Sequence, residues 1–226
     1  MSITISIKKG DKEKDVVIPV EWKDMTIKYF SDMSAIIQKH HKESKNKKEE
    51  VDVNNDSKKD IELNEIEALK MNRDLFGYVS GLTKEEVDLV DKIKINQLLG
   101  AINALSEEYE PKGAKSFVLE GEEYFFPSEF FRKETFGDYI ESTQLDMYAK
   151  EMDGGRFGVL PEQMAILCRK LDEVYDEDSI PAKAEKFRGI TMDTAWEFAF
   201  FLTHQNIKLK KLFPTSFQET KDHQEL

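Results

Sequence analysis

The sequence predicts an α+β fold, two β-hairpins set on a predominantly helical body. Three observations carry that expectation. Apolar or alternating runs occur twice as candidate hairpins, at residues 3–18 and 115–126, and each is closed by a proline. Each hairpin is followed by a threonine and then by apolar residues at mostly three-, four- or seven-residue spacing, which makes one face of a helix. From residue 61 to 205 that helical spacing dominates, with the second hairpin as its main interruption.

In chain order, Ile3, Ile5 and Ile7 alternate with Thr4 and Ser6, as in a half-buried strand. Lys8 to Lys14, with Gly10, is expected to be a charged turn, and Val16-Val17-Ile18 the returning strand, stopped by Pro19. Trp22 marks a corner. Thr26 is a candidate N-cap for a helix through Ile27, Phe30, Ile36 and Ile37. These residues, 1–42, form an N-terminal unit. Residues 39–60 hold no Phe, Tyr or Trp and turn from basic to acidic, so a charged linker or exposed loop is expected over 43–60. Its two readings are a segment ordered by a neighbouring subunit and a solvated insertion.

Residues 61–205 form the helical body. Leu63, Ile66, Leu69, Leu75 and Phe76 mark a helix that ends near Gly77 or Gly81. Thr83 with Glu86 has capping-box spacing before Val87 and Val90. Ile95, Leu98, Leu99, Ile102 and Leu105 line the next helix, which ends before Pro111. The central hairpin, 115–127, pairs Ser116-Phe117-Val118-Leu119 with Tyr124-Phe125-Phe126 across a turn at Glu120-Gly121-Glu122-Glu123, and Pro127 ends it. Thr135, with Asp138 three residues on, is a candidate N-cap for an amphipathic helix that continues through Ile140, Gln144 and Met147. Asp153 to Gly158 reads as a mobile loop. Pro161 suits the first turn of a helix carrying Met164, Ile166, Leu167 and Leu171. Pro181 opens a short helix that Gly189 stops. Thr191 to about His204 is the most apolar helix, either central to the core or facing another chain. Residues 206–226 form a C-terminal tail, either a docking segment or a last frayed helix.

The two hairpin units repeat one order: hairpin, proline, aromatic corner, threonine cap, helix. Either they are a duplication whose hairpins share one four-stranded antiparallel sheet, or two unrelated hairpins use common stop signals. Two strands alone are marginally stable, so each hairpin needs a partner or a covering helix.

Charge and composition narrow the function classes. The net charge is −12, from 33 basic and 45 acidic residues, which argues against broad nucleic-acid or anionic-membrane binding and predicts no sequence-specific nucleic-acid contact. No apolar run approaches the roughly 20 residues that span a bilayer, so no membrane association is expected. The N-terminal residues lack the pattern of a signal peptide. A single cysteine excludes an internal disulfide framework and suits a reducing compartment.

Each candidate for chemistry has a plainer reading. His40 and His41 are adjacent and would point about 100° apart on a helix, which does not suit one metal ion. Cys168 has no histidine near it in sequence and reads as a small core residue. Gly154-Gly155-Arg156-Phe157-Gly158 lacks the lysine and hydroxyl ending of a P-loop. Asp172, Glu173, Asp176, Glu177 and Asp178 lack the calcium-loop order of an EF-hand and read as a solvated acidic face. Tyr124, Phe125, Phe126, Phe130 and Phe131 have no basic residue interleaved for stacking nucleic-acid bases. No catalytic residue, metal ligand or cofactor is therefore expected. The candidate interaction residues are Trp196, Phe200, Phe201, Leu212, Phe213 and Phe217.

Several segments together resemble small acidic proteins encoded among the neck and tail genes of tailed bacteriophages. They are Ile18-Pro19-Val20-Glu21-Trp22, Asp24-Met25-Thr26, Gly77-Tyr78-Val79-Ser80-Gly81-Leu82-Thr83, Glu134-Thr135-Phe136-Gly137-Asp138-Tyr139-Ile140-Glu141 and Phe200-Phe201-Leu202. The resemblance covers most of the chain outside 43–60 and includes no strict motif. It implies a non-enzymatic virion protein of the head–tail junction or tail, a ring or adaptor subunit in several copies. Its partners would be other phage structural proteins, in the virion and, during assembly, in the host cytoplasm. The second role it implies is a soluble tail-assembly chaperone absent from the mature particle.

Overall fold

The first two strands, β1 (Ser2–Lys9) and β2 (Lys12–Pro19), pair antiparallel from Ser2↔Pro19 to Lys9↔Lys12 in a computed structural model of the chain. The structure describes residues 2–9, 12–19, 21–51, 65–104, 109–128, 134–149 and 151–212. The ladder absorbs most of the turn expected at Lys8–Lys14, because the alternation of polar and charged residues there is as compatible with an exposed strand face as with a loop.

A short 3₁₀ turn, Trp22–Asp24, leads to α1 (Ile27–Val51). Thr26 acts as its cap: its Oγ1 accepts from the Tyr29 N–H at 3.2 Å. The helix runs past the boundary drawn at residue 43, so 43–51 of the expected linker is helical backbone. Lys and Glu are good helix formers, so a polar stretch continues a helix even with little to bury. Residues 52–60 lie outside the described residues.

The next elements are α2 (Glu65–Ser80), α3 (Lys84–Val87) and α4 (Lys92–Ala104). Gly81, at φ +62°, ends α2. The Thr83–Glu86 capping box is formed in both directions. Ile66 and Leu69 are exposed, whereas Leu75 and Phe76 are buried, so only the end of α2 is a core face.

The second hairpin is β3 (Ser116–Leu119) with β4 (Glu122–Phe125). Its turn is only Glu120-Gly121, both at positive φ (52° and 82°), as a tight two-residue hairpin requires. Glu122 and Glu123 therefore belong to the strand rather than to the turn. Across the outer edge of β4, Phe125 N donates to Arg169 O (2.8 Å) and Arg169 N to Phe125 O (3.2 Å). The hairpins form two separate two-stranded sheets, so the shared four-stranded sheet is not formed.

α5 (Phe136–Tyr148) starts at the Thr135–Asp138 capping box, formed both ways. The helix runs through Ile140, Gln144 and Met147 as expected, and all three are exposed. The buried positions are Asp138, Ser142 and, just past the helix, Ala149; Gln163 donates to the Ser142 carbonyl. Beside Leu145, which packs on the main core, this inward face carries polar groups held by hydrogen bonds, which hydrophobic periodicity does not register.

α6 (Arg156–Leu167) begins five residues before Pro161, so that proline sits inside the helix, not in its first turn. Asp153–Gly158 is no mobile loop: Gly154, Gly155 and Gly158 are buried against α1. A Cβ on Gly155 would lie 2.5 Å from Gln38 Nε2. Leu171, expected on this helix, lies beyond its end and is 78% exposed. A 3₁₀ turn (Glu177–Ser179) and α7 (Ile180–Phe187), with Pro181 in its first turn, lead to α8 (Met192–Leu212). The boundary drawn between 205 and 206 thus falls inside one helix.

Two cores follow. Val16, Ile18, Phe76, Leu82 and Val87 join the first hairpin to α2–α3. Met25, Ile27, Phe117, Tyr124, Phe126, Met164, Phe187, Met192 and Phe198 belong to the larger core of α6–α8 and the second hairpin. Main-chain bonds from Ile27 N to Ile190 O (2.8 Å) and Met192 N to Met25 O (2.7 Å) fix the start of α1 against the start of α8.

Candidate functional site

The most apolar stretch of α8 carries one carboxylate, Glu197, and that carboxylate is buried. Its Oε1 accepts from the Tyr109 hydroxyl (2.7 Å) and Lys112 N–H (2.5 Å), and its Oε2 from Ala114 N–H (2.9 Å). Burial alone would raise its pKa. The donors at Lys112, Tyr109 and Ala114 outweigh burial and hold it below the ordinary carboxyl range. Glu197 therefore pins segment 109–114 to α8.

That segment forms one wall of a cavity of about 1010 Å³. Phe125, Phe126 and Pro127 at the end of the second hairpin form another wall; Leu167, the residues from Arg169 to Glu173 and the α8 residues Phe200, Phe201, His204 and Gln205 also line it. Several of its polar groups are tied to the walls. Glu134 accepts from Ser128 N (2.8 Å) and Oγ (2.5 Å). Arg169 donates to Asp138, and Glu173 accepts from Lys170 N (2.7 Å) and Lys183 Nζ (2.7 Å). Glu173 is thus no part of a solvated acidic face, whereas the other four acidic residues, Asp172, Asp176, Glu177 and Asp178, are exposed.

The expected interaction residues divide into three groups. Phe200, 37% exposed, stacks on Tyr109 (6.2 Å between centroids), and Phe201 packs on Phe126 (6.0 Å); both line the cavity. Trp196 is instead half-buried in an internal aromatic row, 5.7 Å from Trp22 and 5.4 Å from Phe157. Leu212 is the last residue of α8, with its side chain outside the description, as are Phe213 and Phe217.

Cys168 is fully buried, and desolvation pushes its thiol pKa up, so it is a poor nucleophile. His40 bonds to Asp74 at 2.9 Å between α1 and α2, while His41 is exposed. Among the described residues no group of three or more His, Cys, Asp or Glu side chains is placed to hold a metal ion.

Sequence spacing missed the cations around Tyr124. The Lys170, Lys183 and Lys186 ammonium groups lie 5.6, 5.7 and 5.9 Å from its ring centroid. They come from 170–186, remote in sequence from the hairpin, and are paired to Glu122, Glu173 and Glu120. With the ring itself buried, the cluster ties the hairpin to 170–186 rather than offering a platform for nucleic-acid bases.

Among the described residues no helix is long and apolar enough to cross a membrane. Comparison with protein-family models gives no match for this chain, nor does comparison with curated proteins or with solved structures.

Proposed function

We propose that this chain is a non-enzymatic structural subunit of a tailed bacteriophage, acting through protein–protein contacts at the head–tail junction or in the tail. The observation that carries the contact role is the cavity beside α8. Phe125, Phe126, Phe200 and Phe201 supply its apolar lining, while Glu197, Arg169, Glu134 and Glu173 are occupied in holding its walls. Aromatic anchors in a concavity suit a side chain of a partner protein. The phage assignment rests on the resemblance carried by Ile18–Trp22, Gly77–Thr83, Glu134–Glu141 and Phe200–Leu202. The subunit is of ring or adaptor type, its neighbours are other phage structural proteins, and its place is the virion.

A second role, a soluble tail-assembly chaperone, is favoured by the net charge of −12, which maintains solubility beside an aggregation-prone partner. Quantitative mass spectrometry of particles purified from cells that produce the chain separates the two. A fixed ratio of several copies per portal ring supports the structural subunit. Abundance in the lysate with absence from particles supports the chaperone. Production in cells that form no phage particles at all sinks both.

A further inference from the structure

Among the described residues, β1 forms main-chain hydrogen bonds on one side only, to β2, and its other edge matches itself. The ladder closes at Lys9↔Lys12 with two residues between them. In a two-residue hairpin the closing pair exchanges both hydrogen bonds, and the pairs then alternate. Lys9, Ile7, Ile5 and Ile3 therefore bond to β2. Ser2, Thr4, Ser6 and Lys8 direct their N–H and C=O groups to the open edge.

The two strands guard their edges differently. β2 carries Lys12, Glu13, Lys14 and Asp15 and ends in Pro19; Lys14 is tied to the Ser80 carbonyl at 2.9 Å. Charges and proline are the devices that protect an edge strand from pairing. β1 has none from Ser2 to Ile7, where three of six residues are isoleucine. That run, Ile3-Thr4-Ile5-Ser6-Ile7, is nearly palindromic.

We propose that the β1 edge is an interface for a second copy of this chain, pairing antiparallel about a two-fold axis at Ile5. Thr4 then lies opposite Ser6 of the second copy, Ile3 opposite Ile7, and Ser2 opposite Lys8. The outward-directed groups of Thr4 and Ser6 fall on the hydrogen-bonded pairs of this register, and Ile5 meets its equivalent at a non-hydrogen-bonded pair. No two charges of like sign are opposed between Ser2 and Lys8. The result is a four-stranded sheet made from two chains, and it relieves the marginal stability of a lone hairpin.

The test is sedimentation equilibrium of the full chain, 26.3 kDa, and of two double variants on the exposed strand face. Thr4→Lys with Ser6→Lys opposes two ammonium pairs across the two-fold axis. Thr4→Glu with Ser6→Lys opposes carboxylate to ammonium instead, and sets an ammonium rather than a second carboxylate opposite Asp15 of the same hairpin. The natural chain and the Glu/Lys variant are expected to associate alike. The Lys/Lys variant is expected to dissociate about tenfold more readily. A natural chain monomeric throughout, or association that is the same in both variants, overturns the proposal. Amide exchange on the natural chain provides a readout independent of folding of the variants. The Thr4 and Ser6 N–H groups should gain protection as concentration rises, and exchange that does not change with concentration overturns the proposal as well.

Discussion

The Arg169 guanidinium donates to Asp138 Oδ2 at 2.5 Å, joining the residue after the C-cap of α6 to the first turn of α5. Asp138 is 1% exposed, and the same oxygen accepts from Thr135 N at 2.9 Å. One carboxylate therefore caps a helix and neutralises a cation, while its Oδ1 is buried without a partner among the described residues. Arg169→Met strands that charge, and a loss of about 3–5 kcal/mol in urea unfolding is expected. Adding Asp138→Asn removes the charge and keeps a capping acceptor, so the double variant should recover part of the loss. Equal stability of the single and double variants would show that the pair carries no coupling.

Glu197 gives an acid-sensitive element. Its pKa is lowered in the folded chain, so its contribution is complete above the ordinary carboxyl value of about 4.3 and is lost as the pH falls below it. Glu197→Gln should cost about 1–3 kcal/mol near pH 7, because a neutral amide has one acceptor oxygen for three donors. The variant should also lose less stability than the natural chain between pH 5 and 3. Parallel pH profiles would mean that the carboxylate charge does not hold segment 109–114.

The glycines separate into packed and open positions. A Cβ on Gly158 would overlap the Asp153 carbonyl oxygen, whereas one on Gly100, inside α4, meets nothing within 4 Å. Gly158→Ala is expected to destabilise by about 2 kcal/mol or more. Gly100→Ala should stabilise by about 0.5–1 kcal/mol through helix propensity. Thermal melts of the two variants moving the same way would contradict the close approach of Gly158 to the Asp153 carbonyl at the start of α6.

Cys168 is expected to be silent toward a thiol reagent in the folded chain, since burial both shields it and disfavours the thiolate. Its labelling rate should follow unfolding, rising with urea as the transition is crossed. Rapid labelling in buffer would place the α6 C-terminus at the surface.

What the sequence makes legible here is local. Both capping boxes involve residues three apart, and their atoms meet whatever the rest of the chain does. Hydrophobic spacing succeeded where burial is apolar, as at Phe117, Tyr124 and Phe198, and failed where it is polar. Asp138 and Ser142 form the inner side of α5 because Arg169 and Gln163 come from α6 and its end to satisfy them. Of the site, Phe200 and Phe201 were legible as aromatics on an apolar helix. Glu197 was visible only as the one charge among Ala195 to Leu202, a pattern that marks a buried carboxylate without naming its donors. The glycines at 154, 155 and 158 gave no hint of α1, because the close approach joins segments more than a hundred residues apart.

Neighbouring phenylalanines on α8 provide the sharpest separation of contact from folding. Phe198 is 0% exposed in the core, its ring 5.7 Å from Phe126. Phe200, two residues on, is 37% exposed on the cavity rim. Phe198→Ala should cost about 3–5 kcal/mol, through lost burial and the void left behind. Phe200→Ala removes ring contacts with Tyr109 and Trp196 and a half-covered ring, so about 1–2 kcal/mol is expected. Under the proposed role the order reverses for assembly. Phe200→Ala, although folded, should be incorporated into particles several-fold less than the natural chain when the two are co-expressed and counted by mass spectrometry. Incorporation at parity would remove this rim from the contact surface and leave the residues beyond Leu212 to be tested in its place.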